Sequence, residues 1–154
     1  MIQVLLFDSG RYREPKKARL ISVSVIGHGP SIICNGVSVV TQSAANFLMN
    51  LASRHPNDIA ARYLHDIDAG ALSMDLSIGA RHDEAFHHDL TVIMEMLAYS
   101  LDNIAMNVNP DILSIEKLMD LDDCVSVADM VDCVHEWRTA RGMDLDGMRP
   151  MEKI

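Results

Sequence analysis

The chain alternates between two hydrophobic periods, and the changes of period mark out its elements. Ile2 to Phe7 is a continuous apolar, β-prone run, closed by the turn chemistry of Asp8-Ser9-Gly10. From Arg19 to Ile26, Leu20, Ser22, Ser24 and Ile26 alternate with Ile21, Val23 and Val25. Such period-two alternation predicts a strand with at least one buried face. The two strands are expected to pair as a hairpin. Its tip is the basic stretch Arg11 to Lys17, a solvated loop or, alternatively, a rim that attracts an acidic partner.

The period then lengthens. Over residues 33 to 52, Val37, Val40, Ala44, Phe47, Leu48 and Leu51 recur at three- and four-residue spacing, which predicts an amphipathic helix. Gly36 and the β-branched residues lower its intrinsic propensity, but small side chains at Gly36, Ser43, Ala44 and Ala45 allow close packing on a sheet. Asn50 to Asn57, with Pro56, reads as the exit loop.

Alternation returns at Ile59, Ala61, Tyr63 and Ile67, and more cleanly at Leu72, Met74, Leu76 and Ile78. Asp68-Ala69-Gly70 between them reads as a hairpin turn. Ser73, Asp75 and Ser77 fall on the opposite face, which is expected to be wetter. A second helix is predicted from Asp83 to about Met106, on a stripe of Leu90, Ile93, Met94, Leu97, Leu101, Ile104 and Ala105. Asn109-Pro110-Asp111 stops it, and Ile112 to Ile115 predicts a short last strand. The order β-β-α-β-β-α-β defines an α+β fold, with two main helices on a mostly antiparallel sheet.

Residues 116 to 154 have a different character. They carry ten acidic and five basic residues, and so −5 of the chain's net charge of −9. Ser126 followed by Asp129 approximates a capping box. Val127, Met130, Val131, Val134 and Trp137 then form one stripe, predicting a helix over about 127–140 that docks on the body or on a partner. This acidic extension, 116–154, is set apart from a domain spanning 1–115 and is expected to be dispensable for folding. Asp144 to Ile154 is expected to fray.

With 154 residues the chain suits one core, and its acidic balance argues against nucleic acid, whose phosphates need a basic face. Three widely spaced cysteines do not make a disulfide framework, so a reducing cytoplasm is the expected setting. No basic segment leading into a long apolar run marks a signal peptide, and no stretch is expected to span a membrane.

The chemistry concentrates in Gly27-His28-Gly29-Pro30-Ser31-Ile32-Ile33-Cys34 and the Asn35-Gly36-Val37-Ser38 that follows. An apolar strand ends, turn formers intervene, and a helix opens at a cysteine. His28 and Cys34 therefore sit at the two lips of one strand-to-helix turn. The first N–H groups of a helix lack internal partners and carry the positive end of its dipole, which favours a thiolate and can receive an oxyanion.

This stretch resembles the ribosomal-processing cysteine proteases of the Prp family. Gly-His at a strand end, a glycine-containing loop, and Ile-Ile-Cys-x-x-Val-Ser-x-x-x-Gln carry the resemblance, which extends more loosely over residues 2 to 115. The resemblance implies a cysteine endopeptidase in which His28 and Cys34 form the catalytic dyad and Ser38 matches a position the family keeps. It implies a peptide or protein substrate: the N-terminal extension of a large-subunit ribosomal protein, or a phage capsid or scaffold precursor. It also implies a homodimer and no cofactor. Backbone N–H groups near Asn35 and Gly36 would hold the oxyanion, and Ser38 would support the helix start. The family's loop between histidine and cysteine is longer and usually carries an acidic residue where this chain has Ser31. A reading of a different class is an inactive relative that binds or assembles through its acidic tail.

His82, His87 and His88 with Asp83 and Glu84 are candidate metal ligands, because Asp83 with His87 and Glu84 with His88 share helix faces. Adjacent histidines point to different faces, and spacing sets no third ligand, so no metal is expected. Cys124 and Cys133, nine apart, match no zinc or redox spacing and read as buried or idle thiols.

Overall fold

The computed structural model describes residues 1–10, 19–79, 84–119 and 126–143. Strand β1 (Ile2–Asp8) pairs antiparallel with β2 (Arg19–Ile26), the hairpin that the sequence predicts. Arg11 to Lys17 lies outside the described residues. The hairpin is pinned at its loop end by Arg19, whose guanidinium is buried. Its Nε and Nη2 donate to the two carboxylate oxygens of Asp8 at 2.9 and 2.5 Å, and its Nη1 donates to the His87 carbonyl at 2.7 Å.

Helix α1 (Ser31–Arg54) follows, then the hairpin β3 (Ile59–Asp66) and β4 (Ala71–Ile78), helix α2 (Glu84–Ala105), strand β5 (Leu113–Leu118) and helix α3 (Val127–Ala140). The strands form one sheet in the order β3-β4-β2-β1-β5. All neighbours are antiparallel except β1 and β5, which run parallel. The fold is α+β, with the predicted element order.

Strand alternation sorts the sheet into two faces. Val4 and Leu6 of β1, Ile21, Val23 and Val25 of β2, and Leu72, Met74, Leu76 and Ile78 of β4 point into one core with α1 and α2. Leu5 and Phe7 point to the other face, where Met130, Val131, Val134 and Trp137 of α3 cover them. Ser126 caps α3 by accepting the Asp129 N–H at 3.1 Å.

Several expectations change. The buried line of α1 is Val37, Thr41, Ala45, Leu48 and Ala52, whereas Phe47 is 52% exposed. Thr41 is tolerated on that line because its hydroxyl donates to the Val37 carbonyl at 2.7 Å. The face that holds Asp75 is not wet: α3 covers it, and Asp75 is 1% exposed. The boundary placed at residue 115 falls inside β5, and the helix beyond it seals the second face of the sheet. By length and composition α1 could cross a membrane, against expectation, but its buried line packs on the sheet as part of the core.

Candidate active site

Strand β2 ends at Ile26, and Gly27 turns the chain with φ +109°. A Cβ at Gly27 would lie 2.0 Å from the Met1 carbonyl oxygen, so only glycine fits beside the start of β1. His28, Gly29 and Pro30 complete the turn. The Pro30 carbonyl accepts the N–H groups of Ile33 and Cys34 at 3.0 and 2.9 Å, which opens α1 at Ser31. Cys34 thus closes the first helical turn, half-buried.

One cavity of about 410 Å³ lies between this turn, α1 and the β3–β4 hairpin. Cys34, Asn35, Val37, Ser38, Thr41 and Gln42 line it from α1. His65, Ile67, Gly70 and Leu72 line it from the hairpin, and His28 stands at its edge, exposed. The structure therefore brings His28, Cys34, Asn35 and Ser38 to one cavity. Gly36 faces elsewhere: a Cβ there would lie 3.5 Å from Cδ1 of Ile104 on α2.

Opening the helix at Ser31 also puts the expected oxyanion donors beyond the first turn of α1. Asn35 and Gly36 are the fifth and sixth residues of α1, where backbone N–H groups belong to the helical ladder. The first-turn N–H groups without ladder partners are those of Ser31 and Ile32. Ser38, eighth in the helix, sits one turn beyond Cys34 and does not support the helix start.

His28 is positioned by the turn Ile67 to Gly70. Its Nε2 lies 3.3 Å from the Asp68 carbonyl oxygen. The Gly27 N–H donates to the Gly70 carbonyl at 3.1 Å, and the Gly70 N–H to that of Ile67 at 3.1 Å. Gly70 has φ +63°, and a Cβ there would come within 2.7 Å of the His28 Cε1 and 2.9 Å of its Nε2. Among the described residues no hydrogen bond joins His28 to Cys34. Catalytic contacts of this kind commonly tighten only around a substrate. A thiol and an imidazole facing one open, partly apolar cavity suit nucleophilic attack on a carbonyl carbon, with the imidazole as proton acceptor.

His65 was not singled out from the sequence, because a histidine on an alternating strand carries no local signal of a site. The other histidines do not gather. His82 and Asp83 lie outside the described residues, His87 is buried, and Glu84 and His88 are exposed. Among the described residues no group of three or more histidine, cysteine or acidic side chains is placed to hold a metal. Cys133 is exposed on α3 rather than buried, and Cys124 lies outside the described residues.

The family model described as "Cysteine protease Prp" matches residues 12–113, and the chain belongs to that family. The fold is shared with the essential ribosomal processing protease Prp from S. aureus, solved with a covalently linked product peptide. That similarity has a TM-score of 0.52 and 21% identity over 76% of this chain and 99% of that one. It is shared also with SMU.848 from Streptococcus mutans, with a TM-score of 0.50 and 19% identity over 77% of this chain and 94% of that one. No curated protein matches the chain. Helix α3 falls beyond the family match.

Proposed function

We propose that this protein is a Prp-like cysteine endopeptidase that removes the N-terminal extension of a large-subunit ribosomal protein or of a phage capsid or scaffold precursor. The observation that carries the reading is that His28 and Cys34 line one cavity in a chain of the cysteine protease Prp family. Cys34 attacks the scissile carbonyl carbon while its proton passes to His28. His28 then protonates the leaving amine as the C–N bond breaks, leaving a thioester on Cys34. Water hydrolyses the thioester and restores the thiol. Asn35 and Ser38, on the cavity wall near Cys34, offer polar groups to the substrate carbonyl, and Ile67 and Leu72 offer apolar surface. The scheme uses no cofactor.

The homodimer and the cytoplasmic setting belong to the same proposal. Val39, Phe47 and Met96 leave an apolar groove between α1 and α2, on the sheet face opposite α3, as surface for a second copy. A reducing compartment keeps the nucleophilic thiol available.

A binding or assembly role without catalysis is favoured by one observation, the absence of a His28–Cys34 hydrogen bond among the described residues. Incubation with candidate precursors separates the two readings. The protease cleaves at one site and the Cys34→Ala variant does not. A protein that retains the precursor uncleaved is a binder.

A further inference from the structure

We infer that the β3–β4 turn completes the catalytic unit, with the main-chain carbonyl of Asp68 and the bare Cα of Gly70 as the positioning elements for His28. The inference rests on the protease reading and adds a third member to its dyad. A carbonyl oxygen can only accept, so the 3.3 Å contact with Nε2 requires the proton of neutral His28 to be on Nε2. The lone pair is then on Nδ1, which becomes the nitrogen that takes the Cys34 proton. The hydrogen bond on one imidazole nitrogen thereby selects the tautomer of the other.

The geometry around this contact is built rather than incidental. Gly70 holds φ +63°, and any side chain there would meet the imidazole at 2.7 Å and the Gly27 carbonyl oxygen at 2.7 Å. The Gly27 N–H donation to the Gly70 carbonyl ties the residue before His28 to the same turn. Oδ1 of Asp66 accepts the Ala69 N–H at 3.1 Å and closes the turn from the other side. The imidazole is therefore held by main chain on its Nε2 edge, and Nδ1 makes no hydrogen bond among the described residues.

The test has one arm that needs no substrate. Two-bond nitrogen–proton NMR correlations on the wild-type protein, at a pH where the imidazole is neutral, should show His28 protonated on Nε2. Protonation on Nδ1 overturns the inference, whether or not the protein cleaves peptides. In the second arm Gly70→Ala should lower kcat by about 100-fold with KM little changed, as expected when a reacting group is misplaced by about 1 Å. Gly142→Ala is the control, because Gly142 has φ +71° and open space, so it carries the same backbone strain without touching a catalytic group. If Gly70→Ala keeps the kcat of Gly142→Ala, the inference fails. Asp66→Ala, which loosens the turn without adding an atom at Gly70, should give a smaller loss of kcat in the same direction, and an unchanged kcat counts against it. A wild-type protein that cleaves nothing defeats the protease reading alone, because the tautomer arm still decides the positioning claim.

Discussion

Arg138 of α3 grips Asp75 of β4 with both arms of its guanidinium, Nη1 to Oδ2 at 3.0 Å and Nη2 to Oδ1 at 2.9 Å. The two residues are 3% and 1% exposed. Nε of Arg138 donates to the Ser24 hydroxyl at 2.8 Å, and the Ser22 hydroxyl donates to Asp75 Oδ1 at 2.6 Å. Arg62 reaches Oδ2 from β3 at 3.0 Å. A carboxylate under a helix is costly to bury unless it is paired and its remaining lone pairs are filled, and this network does both.

It follows that α3 is part of the folded domain. Arg138→Ala leaves Asp75 buried with only Arg62 as a cation and should destabilise the protein by about 3–5 kcal/mol. Arg138→Lys keeps the charge but loses the fork, and should fall between the two. Urea unfolding followed by circular dichroism checks the order. A chain ending at Leu118 should be unstable, because it would also uncover Leu5 and Phe7. If that chain folds normally, α3 is an accessory.

Arg19 provides a second, independent lock. Arg19→Ala removes both hydrogen bonds to Asp8 and the donation to the His87 carbonyl, so a loss of about 3–5 kcal/mol is expected from this buried pair. The site lies at the opposite end of β2. The residual folded fraction at low temperature should therefore keep its kcat, measured per folded molecule by titrating Cys34.

Much of this arrangement was legible in the sequence. The alternation of Ile21, Val23 and Val25, the stripe of Met130, Val131, Val134 and Trp137, and the Ser126 cap each state a local preference that the structure satisfies. His28 and Cys34 were legible because turn formers separate a strand from a helix between them. Other features arise only when distant segments meet. Asp75 reads as solvent-facing until α3 arrives from 63 residues away. The Asp68 carbonyl that holds His28 has no side-chain signature at all. The helix start was misplaced because Pro30 serves as its first acceptor without any capping side chain.

Alkaline pH should weaken the protein partly through Tyr63. Burial raises its pKa above the ordinary tyrosine value of about 10. The unfolded chain therefore loses this proton first. Its contribution to stability is full below the unfolded value and is lost as pH rises through the folded one. Thermal melts from neutral pH to above pH 10 should show a steeper alkaline decline for the wild type than for Tyr63→Phe. Equal slopes would remove Tyr63 from the account.

His28 should govern the chemistry of Cys34 and of no other thiol. With limiting iodoacetamide, His28→Ala should slow labelling of Cys34 while labelling of the exposed Cys133 is unchanged. On a cleavable peptide the same variant should lose about 10²–10⁴-fold in kcat, the usual span for a general base. Peptide mapping by mass spectrometry separates the two sites. A uniform change at both thiols would indicate altered folding instead of a lost base.

The central claim is that Cys34 is acylated during peptide cleavage. Intact-mass spectrometry on the protein, quenched in acid soon after mixing with a cleavable precursor peptide, tests it most directly. The account predicts a thioester adduct carrying the N-terminal fragment on Cys34, release of the C-terminal fragment as a free amine, and neither with Cys34→Ala. Cleavage that persists in Cys34→Ala, or a precursor that stays intact with the wild type, would contradict it.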